Sequence, residues 1–406
     1  MVSRYFSISL YLLILSGTTN LYGVEIDEIQ ISGFLSQGYL ESTENDYFEG
    51  TKKGSWNFSE VGLNFIVPLD DNLYFGMQFF SHRLATEVES TPTIDWAFFD
   101  YSRESWLGFR VGKLKLPFGL YNKQREVDSL RTSVLLPQTV YTEGLRDFMV
   151  AIQGFELYGN LDLEKAGYVD YEVFIGSRVV DSSSGYLENS MGLMRLEFLD
   201  QGLNLDVFLD LAGVTLSDAV INIRHLEGFG FQWSPMPDLR LGYTRFQATI
   251  GFDLKGFTGS KIKMPEMSVG SVEYDKNKLT LVYEYFILRS GVAAEFTSLT
   301  SFETEGWYAG ASWQFNNSLS ASFSYGENFP LGGENRAEYF TSKGLPDYLA
   351  WQKEATYSVA YQLTEVSMIK VEVKNINGAG LSNPFVIDFV PVQNWRLYSI
   401  KASIAF

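Results

Sequence analysis

The chain has no cysteine and only two histidines, His82 and His225, far apart in its 406 residues. The absence of cysteine excludes a disulfide framework and any thiolate metal site. Two distant histidines supply no local metal pair. Positive charge is scarce: 31 Lys and Arg face 49 Asp and Glu, a net charge of −18. That balance argues against a nucleic-acid partner, which requires a basic footprint. Long apolar runs are also missing. After Tyr5–Leu15 no stretch approaches the roughly 18 apolar residues a helical span requires. What is abundant is 36 Gly and 64 aromatic residues: 32 Phe, 24 Tyr and 8 Trp. With 46% hydrophobic residues the chain is not disordered. Aromatics and glycine without cysteine point to a β-rich protein.

Residues 1–23 follow the order of an export signal. Arg4 supplies a positive start, Tyr5–Leu15 (YFSISLYLLIL) an apolar core, and Ser16–Gly23 a small, polar end. Cleavage after Gly23 leaves residues 24–406 as the working domain. An apolar core this short does not span a bilayer as a helix.

The rest alternates with period two. In Trp307–Asn316 (WYAGASWQFN) one set is Trp307, Ala309, Ala311, Trp313 and Phe315, and the other Tyr308, Gly310, Ser312, Gln314 and Asn316. Successive strand side chains point to opposite faces, so this is a strand with one apolar and one polar face. Leu319–Gly326, Glu354–Leu363 and Val61, Leu63, Phe65 and Val67 repeat the rhythm. So does Leu203–Ala212, where Phe208 breaks the polar face.

Short connections carry turn chemistry: Pro68–Asn72, Ser102–Ser105, Leu161–Gly167, Asp200–Gly202, Ser234–Asp238, Asp275–Asn277, Asn316–Ser318 and Leu363–Val366. Between them fall longer polar links at 42–55, 83–93, 118–148, 179–188, 215–226, 254–263, 290–302, 327–352 and 378–394. This count predicts 16 to 18 strands. Alternating short and long links, with polar faces rich in Ser, Gly and Asn, predict an all-β transmembrane antiparallel barrel with short periplasmic turns and long external loops. A closed barrel pairs every backbone N–H and C=O, which lipid does not. A soluble β-sandwich also alternates, but at this length it would need two or more domains, and no Pro-, Ser- or Gly-rich linker divides the chain. The last strand places Tyr398, Ile400, Ala402, Ile404 and Phe406 on one face.

Within Asp95–Tyr141, the stretch Leu107–Tyr121 carries Gly108, Arg110, Gly112, Lys113, Pro117, Phe118 and Gly119. It resembles the proteobacterial outer-membrane porins, with the phosphate-selective porins as distant relatives. Leu135–Tyr141 (LLPQTVY) is similar to the same group. The resemblance implies a water-filled barrel in the outer membrane of a Gram-negative bacterium, often a homotrimer. It implies outer-membrane lipid and lipopolysaccharide around the barrel, small hydrophilic solutes within it, and no cofactor. It also implies that the terminal Phe406 is the signal read by the barrel-assembly machinery. One long loop is expected to fold inward, and 118–148 stands at the matching place. That loop brings Lys123, Arg125, Arg131 and Arg146 together with Glu126, Asp128, Glu143 and Asp147. Facing a narrow channel, these four positive and four negative charges would set ion preference. The alternative is an external loop with solvated charges. The acidic composition predicts weak cation preference or none.

Other candidates are weaker. His82, near Glu87 and Asp95, or His225 would serve a barrel enzyme only with a positioned acid or hydroxyl; no enzymatic step is expected. The acidic segments Glu41–Asp46 and Glu87–Glu89 suit divalent cations that bridge lipopolysaccharide, or simple solvation. Trp56, Tyr101, Trp106, Trp233, Trp307 and Trp395 are expected near strand ends as interfacial girdles.

Overall fold

The computed structural model describes residues 28–48, 50–85, 88–89, 92–180, 220–254, 257–294, 297–330, 332, 337–342, 344–381 and 391–406. The strands are β1 (Gln30–Ser42), β2 (Ser55–Asp70), β3 (Leu73–Leu84), the two-residue β4 (Val88–Glu89), β5 (Thr93–Glu104), β6 (Leu107–Lys115), β7 (Ala151–Asp162), β8 (Tyr168–Val180) and β9 (Val220–Met236). They continue with β10 (Leu239–Leu254), β11 (Phe257–Lys276), β12 (Leu279–Ala294), β13 (Thr297–Gln314), β14 (Leu319–Phe329), β15 (Gln352–Thr364), β16 (Ser367–Gly378) and β17 (Asn394–Ala405). β4 is a rung on β3. The other 16 form one closed antiparallel cylinder, each paired with its sequence neighbour.

β17 closes the ring on β1, with Leu35 opposite Ile404 and Leu40 opposite Ser399. Gly33 and Phe406 exchange both backbone hydrogen bonds, each 2.9 Å, at the seam. Closure leaves no open edge in the ring, which is what a strand assembly needs in hydrocarbon.

The alternation sorts the side chains. On β15, Tyr357, Val359 and Tyr361 are exposed on the outside, while Thr356, Ser358 and Ala360 are buried inside. On β16, Val371 points out while Lys370, Glu372 and Lys374 point in, all three buried. A soluble protein would do the reverse. An exposed belt of Val, Ile, Leu, Phe and Tyr is stable only against lipid.

Among the described residues seven tight connections lie at one rim, with Gln30 and Phe406, and each matches a turn expected from sequence. At 315–318, Asn316 Oδ1 accepts from the N–H groups of Ser318 (2.8 Å) and Leu319 (2.9 Å), which closes the turn. The opposite rim holds the long links at 43–54, 116–150 and 330–351. Two expected long links are much shorter. The described residues of 254–263 and 290–302 fall within strands, because β10 runs to Leu254 and β11 starts at Phe257, and β12 runs to Ala294 and β13 starts at Thr297. Their polar residues extend the ladder rather than leave it. Likewise β9 begins at Val220, inside the expected link 215–226. β8 pairs directly with β9 through Tyr168 and Ser234. The ring therefore closes at the lower end of the expected count. The strand Leu203–Ala212, the turn Asp200–Gly202 and residues 1–23 lie outside the described residues.

The external links pack on one another. Tyr47, Phe48, Leu84, Val134, Leu135 and Trp395 form one apolar cluster. Trp395 is thus a buried cap residue, its ring 5.2 Å from that of Tyr47 and its N–H bonded to Gly378 O at 3.0 Å. Trp307 is half-buried along β13 rather than at its end. Trp56, Tyr101, Trp106 and Trp233 are exposed at or near strand ends, as expected of girdle residues.

Candidate functional site

The link between β6 and β7, residues 116–150, lies inside the cylinder. Its position follows from an exception to the alternation. The inner faces of β8 to β12 are apolar where Phe174, Leu226, Phe246, Met267, Val269 and Phe286 stand. Leu116, Phe118, Leu136, Val140, Tyr141 and Met149 of the link pack on that wall, all buried. Apolar surface facing a polar lumen has no better partner than this loop.

One carboxylate sets the register. Glu284 points inward from β12 and accepts from Tyr141 Oη (2.6 Å), Tyr308 Oη (2.7 Å), Ser271 Oγ (2.6 Å) and Leu120 N–H (2.9 Å). Such a fan of donors offsets part of the cost of burying the carboxylate. Gly119 lies beside it at φ +60°, and a Cβ there would stand 2.3 Å from Tyr141 Oη and 2.6 Å from Glu284 Oε1. Gly112 has φ +141°, and a Cβ there would meet Ala97 O at 2.2 Å. Gly119 is therefore a steric requirement of the loop's departure from the wall, and Gly112 of the close approach of β6 to β5.

The loop then crosses to the opposite wall. Lys370 Nζ of β16 donates to Asp128 O (2.6 Å) and Ser133 O (3.1 Å). Lys401 Nζ of β17 bridges Asp128 Oδ2 (2.9 Å) and Glu60 of β2. Glu372 accepts from Val134 N–H at 2.8 Å and from Ser358 Oγ at 2.9 Å. Thr132 and Ser320 of β14 share a 3.1 Å hydrogen bond.

The structure locates the eight charged residues expected in the loop. Arg125 Nη2 meets Glu143 Oε1 at 2.7 Å, and Arg146 bridges Glu143 (3.5 Å) and Glu126 (3.4 Å). Lys115 joins Glu126 (2.5 Å) to Asp95 (3.2 Å). Arg131 donates to Arg125 O at 2.6 Å and lies 3.4 Å from Asp128. Lys123 reaches Glu156 of β7 (3.1 Å) and Glu172 of β8. Asp147 falls in the helical turn Arg146–Met149, with its side chain outside the described residues. Seven of the eight are thus drawn into a belt of ion pairs, and most of that belt is buried.

Electrostatics in the loop follow from the pairing. Burial alone would raise the Glu143 carboxyl, but Arg125 and Arg146 outweigh it and bring it down to about 2. Burial also opposes the Asp128 charge, yet Lys401, Lys370 and Arg131 hold its carboxyl below the usual range. Burial, with Glu284 beside it, pushes the Tyr141 hydroxyl up, so it stays a donor.

Sequence reading missed Glu284, Lys370, Glu372 and Lys401. A signal exists for the middle two: Lys370, Glu372 and Lys374 alternate with Val371 and Val373 and so share the inner face. The histidines share no site. His82 lies on the inner face of β3, its ring 5.3 Å from Phe80. His225 is exposed on the outer face, 3.0 Å from Glu227. Of the acidic segment Glu41–Asp46, Asp46 caps its own link by accepting from Gly50 N–H (2.7 Å) and Lys52 N–H (3.0 Å). Glu87 lies outside the described residues.

A closed cylinder of this kind has counterparts in fold among solved structures. OmpT of Vibrio cholerae, an outer membrane protein in trimer form, superposes with TM-score 0.55 at 9% identity, covering 93% of this chain and 99% of the other. The outer membrane channel DcaP of Acinetobacter baumannii gives 0.53 at 12%, covering 93% and 97%. The anion-selective porin of Comamonas acidovorans gives 0.53 at 9%, covering 93% and 99%. The fold is that of the outer-membrane porins. The porin fold accounts for the closed ring, the short turns at one rim and the long links at the other. No family model matches the sequence, and no curated protein matches it.

Proposed function

We propose that the chain forms a water-filled porin channel in the outer membrane of a Gram-negative bacterium, through which small hydrophilic solutes and ions diffuse passively. The observation that carries this reading is the loop 116–150, clasped to opposite inner walls of a closed cylinder whose outside is fit only for lipid. A polar lumen lowers the cost of moving a solute across hydrocarbon, and the loop narrows that lumen. Lys123, Arg125, Glu126, Asp128, Arg131, Glu143, Arg146 and Asp147 belong to this constriction in our reading. The buried pairs hold its shape, and Lys123, the most accessible of the seven whose side chains are described, faces the solute.

Residues 1–23 are read as the export signal, and 24–406 as the barrel. Phe406 is read as the assembly signal, a role that suits its exposed ring beside the β1–β17 seam. The trimer form of one structural neighbour supports a homotrimer. Outer-membrane lipid and lipopolysaccharide are the surroundings that the apolar belt and the exposed outer ion pairs of Arg289 with Glu266 and Glu303 would meet.

The test is conductance in planar bilayers across a salt gradient. Discrete KCl channels with a definite reversal potential are the expected result; a folded barrel that conducts nothing would exclude the channel. Lys123→Gln should move the reversal potential towards cations. The second reading, a substrate-specific porin for a sugar, organic acid or phosphate, is favoured by aromatic side chains on the inner wall.

A further inference from the structure

The charged loop is electrically balanced in its two main contacts with the wall. Beside β5 and β6, Lys115, Arg125 and Arg146 face Asp95, Glu126 and Glu143, three cations against three carboxylates. At the far wall Arg131, Lys370 and Lys401 face Asp128 and Glu60, and Lys374 faces Glu354 and Glu372, four against four. Equal and opposite charges a few ångströms apart act on a more distant ion as dipoles, and their fields largely cancel.

The wall of β5 to β8 is not balanced. Asp100 accepts from Tyr74 Oη (2.7 Å), Tyr158 Oη (2.6 Å) and Arg110 Nε (2.5 Å). Arg110 also reaches Glu156 at 3.0 Å, and Glu156 reaches Lys123 of the loop at 3.1 Å. Lys123 pairs in turn with Glu172. Each contact shares a residue with the next, so two cations and three carboxylates form one network. Asp170 follows Glu172 on the inner face of β8, opposite Asn160 of β7, whose Nδ2 donates to it at 2.7 Å. Among the described residues no cation pairs with Asp170. Four carboxylates therefore stand against two cations where the loop meets this wall. Glu172 is the accessible carboxylate of the network, 19% exposed against 3% for Glu156 and 0% for Asp100. A surplus charge on a low-dielectric wall beside a narrowed lumen concentrates counter-ions there.

We propose that this wall, and not the charged loop, selects the ions: Glu172, with Asp170 below it, makes the channel prefer small cations. Glu172 is the specificity-determining residue. Neutralising it leaves Arg110 and Lys123 against Asp100 and Glu156, two against two, and leaves the clasp on β16 and β17 untouched. This inference rests on the channel reading above and names the ions that channel favours.

The experiment places the full protein in planar bilayers at about pH 8, where carboxylates are charged. The reversal potential is read in a KCl gradient near about 0.1 M, where the Debye length is about 10 Å. The wild type should pass K⁺ in preference to Cl⁻. One charge about 7 Å away in a water-like medium changes the local K⁺ concentration about threefold. Glu172→Gln should therefore lower the K⁺/Cl⁻ permeability ratio about threefold. Asp170→Asn, which disturbs no cation and no loop contact, should lower it too, and the double variant should lower it further. Glu164→Gln removes the same charge from the exposed turn between β7 and β8 and should leave the ratio unchanged. Conductance is recorded alongside; if Glu172→Gln also raises it by loosening the loop, Asp170→Asn decides. A wild-type channel that prefers Cl⁻, or neither ion, overturns the proposal and leaves the channel standing. So does a cation preference that neither variant reduces. Absence of any KCl current overturns the channel reading itself.

Discussion

At the scale of single residues the lumen is governed by buried carboxylates and their donors. Glu284 gathers four donors at one point. Glu284→Ala would leave Tyr141 and Tyr308 hydroxyls and the Leu120 N–H without their acceptor, each an unmet buried group costing about 1–3 kcal/mol. The expected outcome is a loosened loop in an intact barrel. Trypsin should cut at Lys123, Arg125 or Arg131 in the folded, detergent-solubilised variant at conditions where the wild type resists. Glu284→Gln, which keeps one acceptor oxygen, should be cut more slowly. Glu143 gives a pH dependence. Its carboxyl is lowered from 4.5 to about 2, so it supplies stability that is complete above 4.5 and lost as the pH falls towards 2. Loop protection assayed with an acid-active protease should therefore decline across that window, and in Glu143→Gln the decline there should be smaller.

At the scale of elements, the loop's departure from β6 depends on backbone that only glycine tolerates. Gly119→Ala places a methyl against Tyr141 and Glu284 at positive φ. It should cost about 1–3 kcal/mol, and a larger single-channel conductance with unchanged strand content by circular dichroism would show it. The loop also displays how local and distant information divide. Its length and charges were legible in the sequence. Its burial was not, because Asp128 is answered by Lys370, 242 positions away. The same holds for the two expected links whose described residues turned out to be strand. The polar residues at 254–263 and 290–302 read as loop, yet pairing such as Gly251 with Lys261 and Gly291 with Ser301 carries the ladder through them.

At the scale of the whole molecule, stability in lipid rests on the inverted surface. Val359→Arg puts a charge on the outer face midway along β15 and should cost about 2–4 kcal/mol of folding free energy into vesicles. Ser322→Arg, on the inner face of β14, should cost much less. Denaturant titrations monitored by tryptophan fluorescence decide this, and equal losses would mean the two faces are assigned wrongly.

The sequence by itself determined which side of each strand is apolar, where the tight turns fall, and that the last strand ends on an exposed Phe406. Those properties repeat every two residues and are local, so they need no partner to be read. Only the tertiary structure decided that the ring closes at 16 strands and that residues 116–150 lie across its interior. Those outcomes depend on which distant side chains meet inside the closed wall, and a buried charge takes its state from that company rather than from its neighbours in the chain.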